Sequence, residues 1–261
     1  MNIRLDIEYD GSLYHGWQIQ NNASSVQESI EKALSTIFRT PISIIGAGRT
    51  DTGVHARGQV ANFSVDSLPT SLGQLGRSIN GLVREGITIH KVSIVPDEFH
   101  ARYSALSRSY IYSVSRIKRS IDRQMFYSIV YDVDIDRMIK CIPSFLGTHD
   151  FKQFCVDAGK KSTMCTVMNL SIAEESEIIR FHITANRFLH KMVRMVVGTL
   201  LAVGKGHIDK TVIDELVAGK RGSRSFCAPA HALCLTNVEY PPELNATMAA
   251  KPWGHQESLL K

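Results

Sequence analysis

Residues 46–58 read Gly-Ala-Gly-Arg-Thr-Asp-Thr-Gly-Val-His-Ala-Arg-Gly. Arg49, Asp51, His55 and Arg57 crowd charged and polar groups into this short stretch, and Gly46, Gly48, Gly53 and Gly58 permit close backbone approach. Three chemistries compete for it. A dinucleotide loop would need a third glycine at position 51, where an aspartate stands that would repel phosphate, and a helix directly after it. An aspartic-protease site would use Asp51-Thr52-Gly53, but that chemistry needs two carboxylates sharing one proton, and the tripeptide occurs once. Arg49, two residues before Asp51, favours the ionised carboxylate and opposes a shared proton. A turn capped by Asp51 is the plainest reading, since Asp before Gly is common in turns. The density of functional groups around it argues for a site presenting one ionised carboxylate.

A second clue lies at 190–203. Met192, Val193, Met195, Val196, Val197, Leu200 and Leu201 leave almost no polar face, which predicts a buried helix. Arg194 sits inside it, with His190 and Lys191 one turn earlier, and a buried arginine needs an anionic partner. Asp51 is a candidate for that partner; an unrelated structural ion pair is the alternative. Gly198 to Lys205 has one residue too many for a phosphate-binding G-x-x-x-x-G-K loop. Asp132, Asp134 and Asp136 alternate as in a calcium loop but lack its glycine and distal glutamate, so a helix start is expected there.

The elements that must position these groups follow from periodicity. Ile3, Leu5, Ile7 and Tyr9 alternate with charged residues, which predicts a half-buried strand. Ser25 and Glu28 form a capping-box pattern ahead of Val26, Ile30, Ala33, Leu34 and Ile37 at helical spacing, with Pro41 as the stop. Strands are expected at 42–45, 59–65 and 87–95, and a helix at 71–83. The second half repeats that order, with strands at 108–115, 166–173, 178–186 and 233–240 and helices at 135–146, 190–203 and 210–218. Direct self-similarity is slight, so the repeat lies in element order. The expected class is α+β: two β-α-β-β-α-β units, RRM- or ferredoxin-like, with antiparallel sheets joined around a central cleft. Their expected bounds are 1–104, carrying the Asp51 loop, and 105–245, with a weakly patterned tail at 246–261.

At 261 residues and 44% hydrophobic composition the chain can bury a sizeable core, and its net charge of +5 leans toward acidic partners such as nucleic acid. Five cysteines without a C-x-x-C pair, and no charged-then-apolar leader, read as reduced thiols in a cytoplasmic protein without a structural zinc site. The longest apolar run is far too short to span a bilayer.

Several segments in order resemble one family. They are Ile7-Glu8-Tyr9-Asp10-Gly11, Gly16-Trp17-Gln18, Ala47-Gly48-Arg49-Thr50-Asp51, Gly53-Val54-His55, Gly58-Gln59-Val60 and Phe99-His100-Ala101-Arg102. Further on come Arg108-Ser109-Tyr110-Ile111-Tyr112, His149-Asp150-Phe151, Phe188 to Arg194, and Ala228-Pro229-Ala230. Over roughly 3–241 the chain resembles the TruA family of tRNA pseudouridine synthases. The resemblance implies the pseudouridine synthase fold and a homodimer that isomerises uridine at positions 38 to 40 of the tRNA anticodon arm, without metal or organic cofactor. It implies that Asp51 is the catalytic carboxylate, with Arg49 of the same motif and Arg194 beside it. Tyr110 is then the tyrosine packing on the target base, and Leu233 a further substrate contact. Lys191 stands where a second histidine is frequent, Ser109 where an arginine is common, and His231-Ala232 where a small residue and glycine usually precede Leu233. Arg57, Arg77, Arg102, Arg108, His190 and Lys191 are candidate tRNA contacts. The rival from another class is a non-catalytic RNA-binding module of two RRM-like units, against which the absence of the RRM aromatic signature counts.

Overall fold

A computed structural model describes residues 1–156, 162–220, 225–244 and 248–249. The fold is mixed α+β, and its contacts group into two compact units: Met1–Thr52 with Ala56–Leu106 and the segment from Val238, and Gly53–His55 with Ser107–Asn237.

The first unit runs β1 (Asn2–Tyr9), α1 (Val26–Phe38), β2 (Ile45–Gly46), β3 (His55–Ser64), α2 (Leu72–Leu82) and β4 (Ile87–Val95). In space β1 lies between β4 and β3, antiparallel to both, and β2 pairs antiparallel with β3. The alternation of β1 does what it predicts: Ile3, Leu5, Ile7 and Tyr9 are buried while Arg4, Asp6 and Glu8 are only half-buried. Each fully buried aliphatic side chain contributes roughly 1.5–3 kcal/mol. Ser25 Oγ accepts from Glu28 N at 3.2 Å as the N-cap of α1, and Ser71 Oγ accepts from Gln74 N at 3.3 Å at the start of α2. The capping box at Ser25 is half made, because the Glu28 carboxylate turns to Lys32 instead. α1 packs on α2 and α2 on β4.

The strand expected over 42–45 shrinks to Ile45–Gly46. α1 explains this: Ser35 Oγ accepts from Ile42 N and Glu31 Oε1 from Ile44 N, both at 2.9 Å, so side chains take donors that a ladder would use. β3 in turn begins at His55, earlier than expected. Only residues 47–54 of the opening stretch are therefore loop.

The second unit contains β5 (Ser107–Ser115), β6 (Tyr127–Ser128), α3 (Ile135–Ile139), β7 (Gly147–Asp150), β8 (Met164–Glu175), β9 (Ile178–Ala185), α4 (Met192–Gly204), α5 (Lys210–Val217) and β10 (Leu233–Glu239). Its strands lie in the order β10-β5-β9-β8-β7, with β6 on β5. The helix expected over 135–146 breaks after Ile139 and continues as a 3-10 turn, Ile142–Ser144, because Pro143 lacks an N–H. Asp134 caps α3, its Oδ1 accepting from Arg137 N at 2.9 Å, which is the helix-start role expected of the aspartate run. α4 starts at Met192, not at 190, and Lys191 ahead of it takes a left-handed conformation (φ 63°). Back in the first unit, β11 (Met248–Ala249) pairs antiparallel with β4. The rest of the expected tail from 246 onward lies outside the described residues.

Candidate active site

The loop that carries Arg49 and Asp51 belongs to the first unit and is held through its backbone. Ala47 N donates to Val60 O at 2.8 Å, and Gly48 O accepts from Gln59 Nε2 at 3.0 Å. Thr50 O accepts from Trp17 N at 3.1 Å, and Thr50 Oγ1 meets the Tyr9 hydroxyl at 2.8 Å. Gln59 Nε2 also reaches Tyr9 Oη at 3.4 Å, while Gln59 Oε1 accepts from Val60 N at 3.2 Å. The Tyr9 hydroxyl so links the Gln59 amide to Thr50. Tyr9, Trp17, Thr50 and Gln59 are all buried, and buried polar groups joined this way fix one arrangement.

Two glycines let Trp17 and its neighbour close behind this loop. Gly16 has φ +89°, and a Cβ there would stand 2.7 Å from Thr50 O and 3.1 Å from the carbonyl carbon of Asp51. A Cβ on Gly46 would stand 2.6 Å from the Trp17 indole. Asp51 is half-buried and Arg49 exposed. The result is one carboxylate and one guanidinium presented from a loop held at Ala47, Gly48 and Thr50.

The other expected residues of the first unit are spread out. Arg57 is exposed on β3. Arg77 is exposed on α2, its Nε donating to Gln74 Oε1 at 2.9 Å. Arg102 is exposed between β4 and β5, its guanidinium carbon 5.5 Å from the centre of the Tyr103 ring.

In the second unit, Tyr110 and Arg108 stand on β5, and Leu233 opens the neighbouring β10. Tyr110 is 9% exposed and meets the Phe188 ring edge-on, with centroids 5.2 Å apart. Arg108 Nη1 donates to Asn186 O at 2.9 Å, and Ser109 Oγ pairs with Thr184 Oγ1 at 2.8 Å. Leu233 is buried, and His190 and Lys191 precede α4.

Arg194 is half-buried, as is Met195, on a helix whose other residues are buried, and its Nε donates to Ala228 O at 2.9 Å while Ala228 N donates to Arg194 O at 3.0 Å. The same segment is held at Pro229 O by the Tyr112 hydroxyl at 3.0 Å and at Ala230 O by Leu233 N at 3.0 Å. Burial pushes the Tyr112 phenol far above its ordinary pKa, so it remains a donor. A Cβ on Gly198 would stand 2.4 Å from Phe226 O, which shows how closely α4 lies against 226–228. His55, 3% exposed, places Nε2 within 2.7 Å of Gln124 O and 2.9 Å of His231 O, so that nitrogen carries the proton.

Tyr9, Trp17 and Gln59, which fix the Asp51 loop, and Tyr112 and Phe188, which fix the second-unit groups, were not anticipated as parts of a site. Gln59 offered one signal, an amide at the head of a largely apolar strand.

Among the described residues no three His, Cys, Asp or Glu side chains gather closely enough to hold a metal ion, and no helix is long and apolar enough to cross a membrane. All five cysteines are free thiols.

Known proteins resemble this chain over nearly all of its length. The profile of a family described as tRNA pseudouridine synthase matches residues 7–104 and 142–241. A tRNA pseudouridine synthase A from Acetivibrio thermocellus is 38% identical over 244 residues, covering 92% of this chain and 99% of the relative. The enzyme of the same name from Bacteroides fragilis is 38% identical over 244 residues, covering 91% and 96%. That from Chlorobium phaeovibrioides is 41% identical over 242 residues, covering 92% and 99%. With its braced Arg49-Thr50-Asp51 loop inside the first matched segment, the chain belongs to the tRNA pseudouridine synthase family.

Proposed function

We propose that this chain is an isomerase that converts uridine to pseudouridine in tRNA, with Asp51 as the catalytic carboxylate. The observation that carries the reading is the four-point bracing of residues 47–50, which aims one carboxylate from a fixed backbone in a chain of this family. The reaction breaks the bond from C1′ to N1, turns the uracil and rejoins it through C5, which gives up its proton while N1 gains one. A carboxylate beside the sugar can attack C1′, attack C6 of the base, or remove a sugar proton to give a glycal. In each route the ionised form is required, and a preorganised backbone lowers the cost of presenting it.

The remaining assignments are part of the same proposal. Arg49 and Arg194 orient the carboxylate. Tyr110, fixed by Phe188, offers the target base an aromatic contact after it leaves its stack, and Leu233 an apolar one. Arg57, Arg77, Arg102, Arg108, His190 and Lys191 meet the tRNA backbone. We assign the anticodon arm, positions 38 to 40, as the target, two ferredoxin-like units as the framework, a homodimer as the working form, the cytoplasm as its place, and no metal or organic cofactor.

The test is direct. Purified protein with chelator present and tRNA transcripts bearing anticodon-arm uridines yields pseudouridine, located by chemical mapping at 38, 39 or 40. Conversion at other positions contradicts the site assignment. Binding of tRNA without any conversion favours the non-catalytic RNA-binding module.

A further inference from the structure

Between β4 and β5 the chain makes a turn whose inner side is fixed by buried polar groups. Ala101 N donates to Asn62 Oδ1 at 2.9 Å, and Asn62 Nδ2 donates to Asn2 Oδ1 at 3.0 Å. Asn2 Nδ2 reaches Phe99 O at 2.8 Å, and the Tyr240 hydroxyl donates to Ala101 O at 2.7 Å. Phe99 and Ala101 are buried at the foot of the turn.

Its outer side is equally ordered. His100 N donates to Ser104 Oγ at 3.0 Å, and Ser104 N returns to His100 O at 2.9 Å. The backbone N–H groups of Arg102 and Tyr103 both donate to His100 Nδ1 at 3.2 Å, so the imidazole is fixed with that nitrogen as acceptor. The Tyr103 ring lies 4.4 Å from the His100 ring, centre to centre and tilted by 36°, with the Arg102 guanidinium 5.5 Å from its centre. Yet Tyr103 remains 76% exposed.

A single exposed tyrosine needs no explanation by itself. What sets this one apart is a ring held off the surface by a histidine on a doubly anchored turn, with a cation at its side. Such a ring loses little conformational freedom when something stacks on it. Unpaired bases are bound by proteins through aromatic faces of this kind, with arginine meeting the adjoining phosphate. We propose that Tyr103 is a stacking platform for an unpaired base of the tRNA substrate, with Arg102 contacting the neighbouring phosphate. This rests on the tRNA-isomerase reading above and extends it to a contact outside the assigned base-binding residues.

The experiment compares affinity for one full-length tRNA transcript by direct titration, in the wild-type chain and in the Asp51→Asn background. Tyr103→Ala and Tyr103→Leu are expected to bind roughly 10-fold more weakly, and Tyr103→Phe within about 2-fold of the parent. Tyr103→Ala leaves the salt dependence unchanged, whereas Arg102→Gln lowers its slope by about 1. Parental affinity in Tyr103→Ala overturns the inference, and so does a Phe variant as weak as the Ala variant. A change of oligomeric state in Tyr103→Ala assigns the ring to a protein contact and also overturns it. A wild-type chain that binds tRNA but never converts it sinks the isomerase reading while the affinity series still judges the platform.

Discussion

The Asp51 loop in the first unit and the Ala228–Ala230 segment in the second are both held by their backbones, but by different means. Residues 47–50 are fixed by Tyr9, Trp17, Gln59 and Val60, so each of these four anchors lies on a residue other than Asp51. In the second unit Arg194 is itself an anchor, donating to and accepting from Ala228. A candidate catalytic group whose loop is braced at several other residues can be changed at limited cost to folding. One that does hold up its surroundings cannot, and its effects on activity and stability arrive together.

Glycine substitutions test the two backings most severely. Gly198→Ala would set a Cβ 2.4 Å from Phe226 O and 2.8 Å from Ala228 N, both backbone atoms. A loss of roughly 3–4 kcal/mol in chemical denaturation is expected. Gly16→Ala meets Thr50 O at 2.7 Å with φ +89°, and roughly 2–3 kcal/mol is expected, with conversion reduced in the protein that remains folded. Gly48→Ala, with no atom within 4 Å of the added Cβ, is the control and should stay within about 0.5 kcal/mol. Equal stability of the Gly16 and Gly48 variants would break the account of the first loop.

Arg194→Met comes next. It removes the Nε donor from Ala228 O and should cost roughly 1–3 kcal/mol together with activity, which denaturation and conversion assays on one preparation would read. Tyr9→Phe is milder: Thr50 and Gln59 lose a shared hydroxyl, worth about 1 kcal/mol. Because only the loop is loosened, kcat should fall while KM stays near that of the parent. A fall confined to KM would contradict a positioning role.

These effects mark what could be read from the residues alone. The alternation of Ile3 to Tyr9 and the N-cap at Ser25 rest on local periodicity and hydrogen bonding, and they appear as expected. Ile42 to Ile45 misled because an apolar run cannot reveal that Glu31 and Ser35, from a helix earlier in the chain, take its donors. The 135–146 pattern held its own warning in Pro143. Gly147–Asp150 forms a strand on β8 although its residues, Gly-Thr-His-Asp, carry no apolar alternation. For the candidate site, residue types pointed to the Asp51 loop. The partners that brace it, Tyr9 and Gln59, lie 41 residues from Thr50 and 11 residues from Gly48, and such pairings depend on sheet register, not on local pattern.

The smallest expected effect concerns pH. Burial pushes His231 below its ordinary value, and the nearby His55 and Arg194 add to this against the hydrogen bond to Phe126 O. The unfolded chain therefore binds the proton more readily, so the contribution of neutral His231 is present above the ordinary histidine range and lost as pH falls through it. Tm should decline between about pH 7 and 5.5, and His231→Gln should flatten part of that decline. An unchanged slope in the variant would remove His231 as its cause.

The most direct test is single-turnover conversion by Asp51→Asn at saturating tRNA, run beside its stability and tRNA affinity. A fall of at least roughly 10³-fold in conversion is expected, with stability within about 1 kcal/mol and affinity within about 3-fold of the parent. Conversion at the parental rate by a folded, tRNA-bound Asp51→Asn protein would contradict Asp51 as the catalytic carboxylate.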